Sequence, residues 1–157
     1  MPEAKLNGVE IRDKIVAKDL AALYAAVGWE HRQNLDYCAK ALEHTPVVFG
    51  AYAQKKLIGA VRVATDYTFF AHIIDIAVHP DFQHKDLGGQ LLQCVIRFCR
   101  EHGFEEQQGE LTLFAAHKAD RFFSIYNFHL TANGMYYQFR HLRRERTTQI
   151  LSRDGKD

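Results

Sequence analysis

The stretch over residues 71–100, AHIIDIAVHPDFQHKDLGGQLLQCVIRFCR, constrains this chain most. An apolar run over 73–78 reads as a strand, and 79–86 bend away from it. Gly88-Gly89 then open a helix expected to reach about residue 102. Leu91, Leu92, Val95, Ile96, Phe98 and Cys99 give that helix an apolar side at spacings of three and four. A strand feeding a glycine-containing turn into a helix N-terminus is a ready anion site. The first helical N–H groups lack backbone partners and the helix dipole favours negative charge there. The segment therefore reads as a seat for the pyrophosphate of a coenzyme.

Size and composition narrow the rest. The chain has 157 residues, 47% hydrophobic and 25% charged, which suits one soluble domain with a real core. A net charge of +1 points to neither nucleic acid nor a membrane surface. The opening MPEAKLNGVEIRD has no apolar signal core, and no run approaches the ~18 apolar residues of a membrane span, so a cytoplasmic location is expected. Cys38, Cys94 and Cys99 are too few and scattered for a disulfide framework or a zinc site; reduced, buried thiols and no metal are expected.

In chain order, 9–12 alternate as a short strand, and 18–26 read as a helix with Leu20, Leu23, Tyr24 and Val27 on one face. Gly28 stands where a helix stops, and Asn34 is placed to cap a second helix through 42. His44-Thr45-Pro46 ends it. Strands over 47–52 and 57–63 form a hairpin, and 70–78 return as a third antiparallel strand. Residues 110–116 follow the long helix as a strand parallel to 70–78, because one helical crossover separates them. A short helix over 119–126 precedes strands at 128–130 and 135–139, with Asn133-Gly134 as the hairpin signal. Residues 1–140 read as a single domain, and 141–157 as a basic, partly disordered tail.

The element order and the run Val78-His79-Pro80-Asp81-Phe82-Gln83-His84-Lys85-Asp86-Leu87-Gly88-Gly89 resemble the GCN5-related N-acetyltransferases (GNAT). That family carries Gln/Arg-x-x-Gly-x-Gly/Ala between its fourth strand and third helix, where it binds the pyrophosphate of acetyl-CoA. Phe122-Phe123-Ser124-Ile125-Tyr126-Asn127-Phe128 resembles a second family stretch, F-Y-x-K-L-G-F. The resemblance covers roughly residues 9–140. It implies an α+β fold: a mixed, mostly antiparallel sheet of six to seven strands, about four flanking helices, and a splay between the fourth and fifth strands.

The implied activity is direct transfer of acetyl from acetyl-CoA to a primary amine of a small molecule, with homodimerisation open. By resemblance, the backbone at Ile76, Ala77 and Val78 pairs with the pantetheine arm. Gln83, His84, Lys85, Leu87, Gly88 and Gly89 supply pyrophosphate contacts. Two positions on the coenzyme side depart from the pattern. Asp86 replaces the first signature glycine, and is expected to face solvent or cap the helix, with Lys85 offsetting its charge. Phe123 replaces a tyrosine that resembles a general acid, which leaves Tyr126, one turn on, as the candidate acid or as a core residue.

Asp75, the lone carboxylate of the apolar strand, is the first candidate base; a carboxylate satisfied by backbone amides or by an arginine, such as Arg62 on the neighbouring strand, is the alternative. His72 is the second, and strict alternation puts it on the opposite face from Asp75. Trp29, Tyr67 and Phe70 are expected to wall an acceptor pocket suited to an arylalkylamine. Rival readings remain: a catalytically weak or inactive acyl-CoA-binding domain, motivated by Asp86 and Phe123, and acetylation of a protein or RNA-linked amine through the basic tail.

Overall fold

The computed structural model describes residues 8–115, 119–131 and 135–137. Seven strands form one sheet: β1 (Val9–Arg12), β2 (Val47–Ala53), β3 (Lys56–Thr65), β4 (Phe70–Val78), β5 (Glu110–Leu113), β6 (Phe128–Leu130) and β7 (Met135–Tyr137). Their spatial order is β1-β2-β3-β4-β5-β7-β6. β4 and β5 are parallel and the other pairs antiparallel. Among the described residues there are four α-helices: α1 (Ala17–Ala26), α2 (Leu35–Glu43), α3 (Leu87–Glu101) and α4 (Asp120–Ile125). The α+β class, the mixed sheet and the helix count match the expectation. The Asn133-Gly134 turn and the 141–157 tail lie outside the described residues.

Local chemistry accounts for the boundaries. Asn34 Oδ1 accepts from the Tyr37 N–H at 3.0 Å and starts α2. Gly28 follows α1 at φ +80°, a left-handed value that costs glycine nothing. Gln54 and Lys55 both have positive φ, the geometry of the tight turn that matches strand twist, and they join β2 to β3.

The sheet separates two apolar layers. α3 packs Leu87, Leu91, Leu92, Val95, Ile96 and Cys99 against Val61, Val63, Ala71 and Ile73. Each fully buried aliphatic side chain there contributes roughly 1.5–3 kcal/mol of transfer free energy before chain entropy is counted. On the other face Leu20, Leu23 and Tyr24 of α1 and Cys38 of α2 cover Leu57, Ala60 and Ala77.

One irregularity decides the chemistry. β3 pairs Arg62 with Asp75 and Val63 with Ile73, so Ile74 is an extra residue on β4. Such a bulge resets side-chain alternation. Arg62 and Ala64 share a face of β3, so their partners Asp75 and His72 share a face of β4. The opposite-face expectation is thereby corrected: strict alternation fails at Ile74, and both groups lie on the α1–α2 side.

Candidate active site

The β4–β5 ladder runs from Phe70–Glu110 to Ile73–Leu113 and stops, while β4 continues to Val78. Beyond Ile73 the strands part, and no ladder partner is present on that side of β4 among the described residues. This is the expected splay. The Ala77 side chain is buried and those of Ile76 and Val78 lean on the α3 layer, so this stretch presents its backbone to the opening.

The loop after β4 is tied into itself. His79 caps a short 3-10 turn, Pro80–Phe82, its Nδ1 accepting from the Asp81 N–H. Gln83 Nε2 donates to the Val78 carbonyl at 3.0 Å, and Lys85 Nζ to the Asp81 carbonyl at 3.0 Å. Both side chains help hold the loop, and each keeps a further N–H that can face an anion beside the main-chain amides. His84 and Asp86 take left-handed φ of 61° and 62°. Asp86 occupies the N-cap position of α3, yet its side chain makes no capping bond. It accepts instead from the Tyr126 hydroxyl at 2.5 Å. The carboxylate is exposed, as expected of a solvent-facing group. The capping expectation is corrected, because Tyr126, just after α4, brings a phenol over the first turn of α3 and takes that carboxylate.

That contact explains the glycine pair. A Cβ on Gly89 would lie 1.9 Å from Tyr126 Oη and 2.4 Å from Asp86 Oδ1; one on Gly88 would meet the Phe122 ring at 3.1 Å. Burial, then the Asp86 hydrogen bond, push the Tyr126 phenol up to about 12. Its proton is committed to Asp86, so Tyr126 serves the loop here and is not aimed at the splay as a free acid. Phe123 is buried and packs edge-on against Phe128.

Asp75 sits at the centre of a buried network. Its Oδ2 accepts from Arg62 Nη2 at 2.6 Å, Arg32 Nη1 at 2.5 Å and Tyr24 Oη at 2.9 Å; Oδ1 accepts from Arg62 Nε at 3.2 Å. The Asp75 side chain is 5% exposed and that of Arg62 10%. Burial, then the neighbouring Asp75 charge, push the Tyr24 phenol up. A carboxylate with both oxygens claimed and two guanidinium groups against it organises the face. The satisfied-carboxylate reading, with Arg62 as partner, fits this geometry better than the base reading. Arg32 lay in a link between helices with no sequence signal, and only the fold brings it to Asp75.

His72 is different. Its Nδ1 lies 2.8 Å from Thr112 Oγ1, and its ring stacks on Phe70 and tilts against Phe114 at 5.2 Å. Burial among these groups lowers its pKa. Thr112 and Phe114 escaped the sequence reading because their relevance depends on the β4–β5 register.

The expected acceptor wall is divided. Trp29 packs on Tyr24 at 5.3 Å with the Arg32 guanidinium 5.4 Å from its ring, on the Asp75 side. Phe70 stacks on His72. Tyr67 stands elsewhere: Asp66 Oδ1 accepts from the N–H groups of Thr68, Phe69 and Phe70, and in that turn Tyr67 takes φ 64°. Its ring meets Phe98 of α3 and His102 just after it, and its hydroxyl donates to the Pro46 carbonyl. Tyr67 is therefore removed from the wall. Cys38 and Cys99 are buried and burial pushes the Cys99 thiol up to about 12, so neither is a reactive thiol. Among the described residues no His/Cys/Asp/Glu group is placed to hold a metal, and no helix is long and apolar enough to cross a membrane.

An open β4 edge running into a glycine-fronted helix is the architecture of acyl-CoA transferases, and the comparisons agree. The acetyltransferase (GNAT) family model matches residues 15–128. The chain belongs to that family. It is 31% identical over 128 residues to a soybean protein named histone acetyltransferase TAP1, covering 74% of this chain and 53% of that one. It is 33% identical over 121 residues to an uncharacterized N-acetyltransferase, ycf52, of the red alga Gracilaria tenuistipitata, covering 74% and 64%. The chain thus spans about half to two thirds of these relatives. A probable acetyltransferase from Staphylococcus aureus superposes with a TM-score of 0.71 at 22% identity, over 83% of this chain and 99% of that one. The PaiA N-acetyltransferase of Thermoplasma acidophilum, solved with coenzyme A, gives 0.56 at 17% identity, over 82% and 96%. At these identities the structures speak to the fold alone.

Proposed function

We propose that this enzyme transfers acetyl from acetyl-CoA directly to the primary amine of a small molecule with an apolar body. The observation that carries the reading is the end of the β4–β5 ladder at Ile73, which leaves the edge of β4 over 74–78, running toward the N-terminus of α3, with no ladder partner among the described residues. An extended amide-bearing arm can add to such an edge as a strand adds to a sheet. Leu87, Gly88 and Gly89 open α3, where first-turn amides favour a pyrophosphate. Asp86 is compatible with an anion nearby because the Tyr126 hydroxyl holds its carboxylate. The donor supplies an activated thioester carbonyl; an amide N–H at the β4 edge would polarise that carbonyl. Trp29 and Phe70 on the acceptor side suit an apolar or aromatic amine.

A second reading, transfer to a protein amine, is favoured by one observation: a relative 31% identical is named a histone acetyltransferase. Thiol release from acetyl-CoA, with the products identified by mass spectrometry, separates the two. Tyramine, tryptamine, spermidine and a histone H3 tail peptide serve as acceptors. The proposal expects N-acetyl product from the arylalkylamines at higher kcat/KM than from the peptide. Turnover of the peptide alone overturns the small-molecule reading, and coenzyme binding without turnover of any acceptor overturns both.

A further inference from the structure

We propose that His72 Nε2 is the proton acceptor for the incoming amine, an assignment that rests on the acetyl-transfer reading above. Thr112 Oγ1 lies 2.8 Å from His72 Nδ1 and 3.5 Å from the Ala71 carbonyl oxygen. A hydroxyl has one hydrogen. It can go to Nδ1 or to the carbonyl; in the second arrangement, the one proposed, the oxygen accepts from Nδ1–H and the lone pair of the neutral ring resides on Nε2.

The surroundings keep that ring neutral. Phe70 lies parallel to it, with ring centroids 6.3 Å apart, and Phe114 is tilted against it at 5.2 Å. Burial is the cause of its lowered pKa. Facing it from the packed strands are Ala64 on β3 and Thr112 on β5. The charged groups of this sheet face are Glu110, two residues before Thr112, and the Asp75–Arg62–Arg32 cluster beyond the bulge. Asp75 is spoken for by its arginines. Among the described residues no partner claims His72 Nε2, whereas both Asp75 oxygens are claimed. It stands one residue before the β4–β5 ladder ends, at the mouth of the splay. Phe70 and Phe114 beside it are 44% and 74% exposed. Two large exposed rings bracketing an imidazole suit the apolar part of an acceptor better than bulk water.

The step balances without any redox partner. An ammonium N–H proton passes to His72 Nε2. The freed amine lone pair forms a C–N bond to the thioester carbonyl carbon, and the C–S bond breaks with its electron pair leaving on sulfur. The second amine proton neutralises the thiolate, and the His72 proton returns to water. Removal of a positioned base typically costs ~10²–10⁴-fold in rate.

The test is the pH dependence of kcat/KM for tyramine, or for whichever panel amine the native enzyme turns over fastest, in native enzyme and H72Q. The expected result is a loss of about 10²-fold or more at pH 7, recovering as pH rises and the amine arrives already neutral, with the KM for acetyl-CoA unchanged. A loss below about threefold that is flat with pH overturns the assignment while leaving the transferase reading intact. No turnover by the native enzyme with any acceptor overturns that reading and this one together. A second measurement does not need the variant to fold. Nitrogen-15 NMR of native protein is expected to show the His72 ring neutral at pH 7 with its proton on Nδ1, and a proton on Nε2 would overturn the assignment.

Discussion

Two titratable groups stand on one face of β4 and have opposite fates. Asp75 is enclosed by Tyr24, Arg32 and Arg62, and its oxygens accept four or more bonds. Among the described residues His72 has one polar contact, to Thr112, and two aromatic neighbours. Both are shielded from water, so burial alone does not mark a base. The number of claimed lone pairs separates a group that holds the fold from one that can take a proton.

The largest effect that would break this contrast is at Asp75. Asp75→Ala leaves the Arg62 guanidinium buried without its counter-charge, which should cost about 3–5 kcal/mol in urea unfolding. A loss near that of an ordinary surface substitution would mean the network is not structural. Next comes Gly89→Ala, which sharpens the second contact on the page. The added methyl displaces Tyr126 from Asp86, and crowding of this kind costs about 1–3 kcal/mol. Isothermal titration should also show weaker acetyl-CoA binding, since the new methyl sits on the first turn of α3. Unchanged affinity would separate that turn from the coenzyme.

Tyr126→Phe is expected to be milder. It removes one hydrogen bond, about 1 kcal/mol, and leaves the Asp86 carboxylate unpaired beside the pyrophosphate seat. Acetyl-CoA affinity should fall and recover in the double variant with Asp86→Asn; a failure to recover would show that the carboxylate is not the cause. The smallest effect is at His72. Its folded pKa is lowered, so the unfolded state binds a proton first, and stability falls as pH drops below the unfolded value near 6.5. Comparison of native protein with His72→Gln between pH 7 and 5 should show that slope flattened; identical slopes would place the titration elsewhere.

Much of the fold was readable in the chain. The strand–loop–helix over 71–100, the Asn34 cap, the stop at Gly28 and the parallel crossover to β5 all follow from local chemistry. The site was less readable. Ile74 is the same residue type as Ile73 before it, so nothing in the sequence marks which one is the bulge, and strict alternation puts His72 on the wrong face. Arg32 and Thr112 acquire meaning only through partners 43 and 40 residues away. Tyr67 looked like a wall residue beside Phe70, but the turn built on the Asp66 carboxylate sends it to α3. The Asp86–Tyr126 bond is equally remote in sequence, and it turns an apparent defect in the coenzyme loop into a satisfied pair.

The central claim is that the acyl donor occupies the unpaired edge of β4 and the first turn of α3. Amide hydrogen exchange with and without acetyl-CoA tests it most directly. The account predicts new protection over residues 76–78 and 86–89, with the β2–β3 hairpin unchanged. Protection confined to other segments, or none at saturating acetyl-CoA, would contradict it.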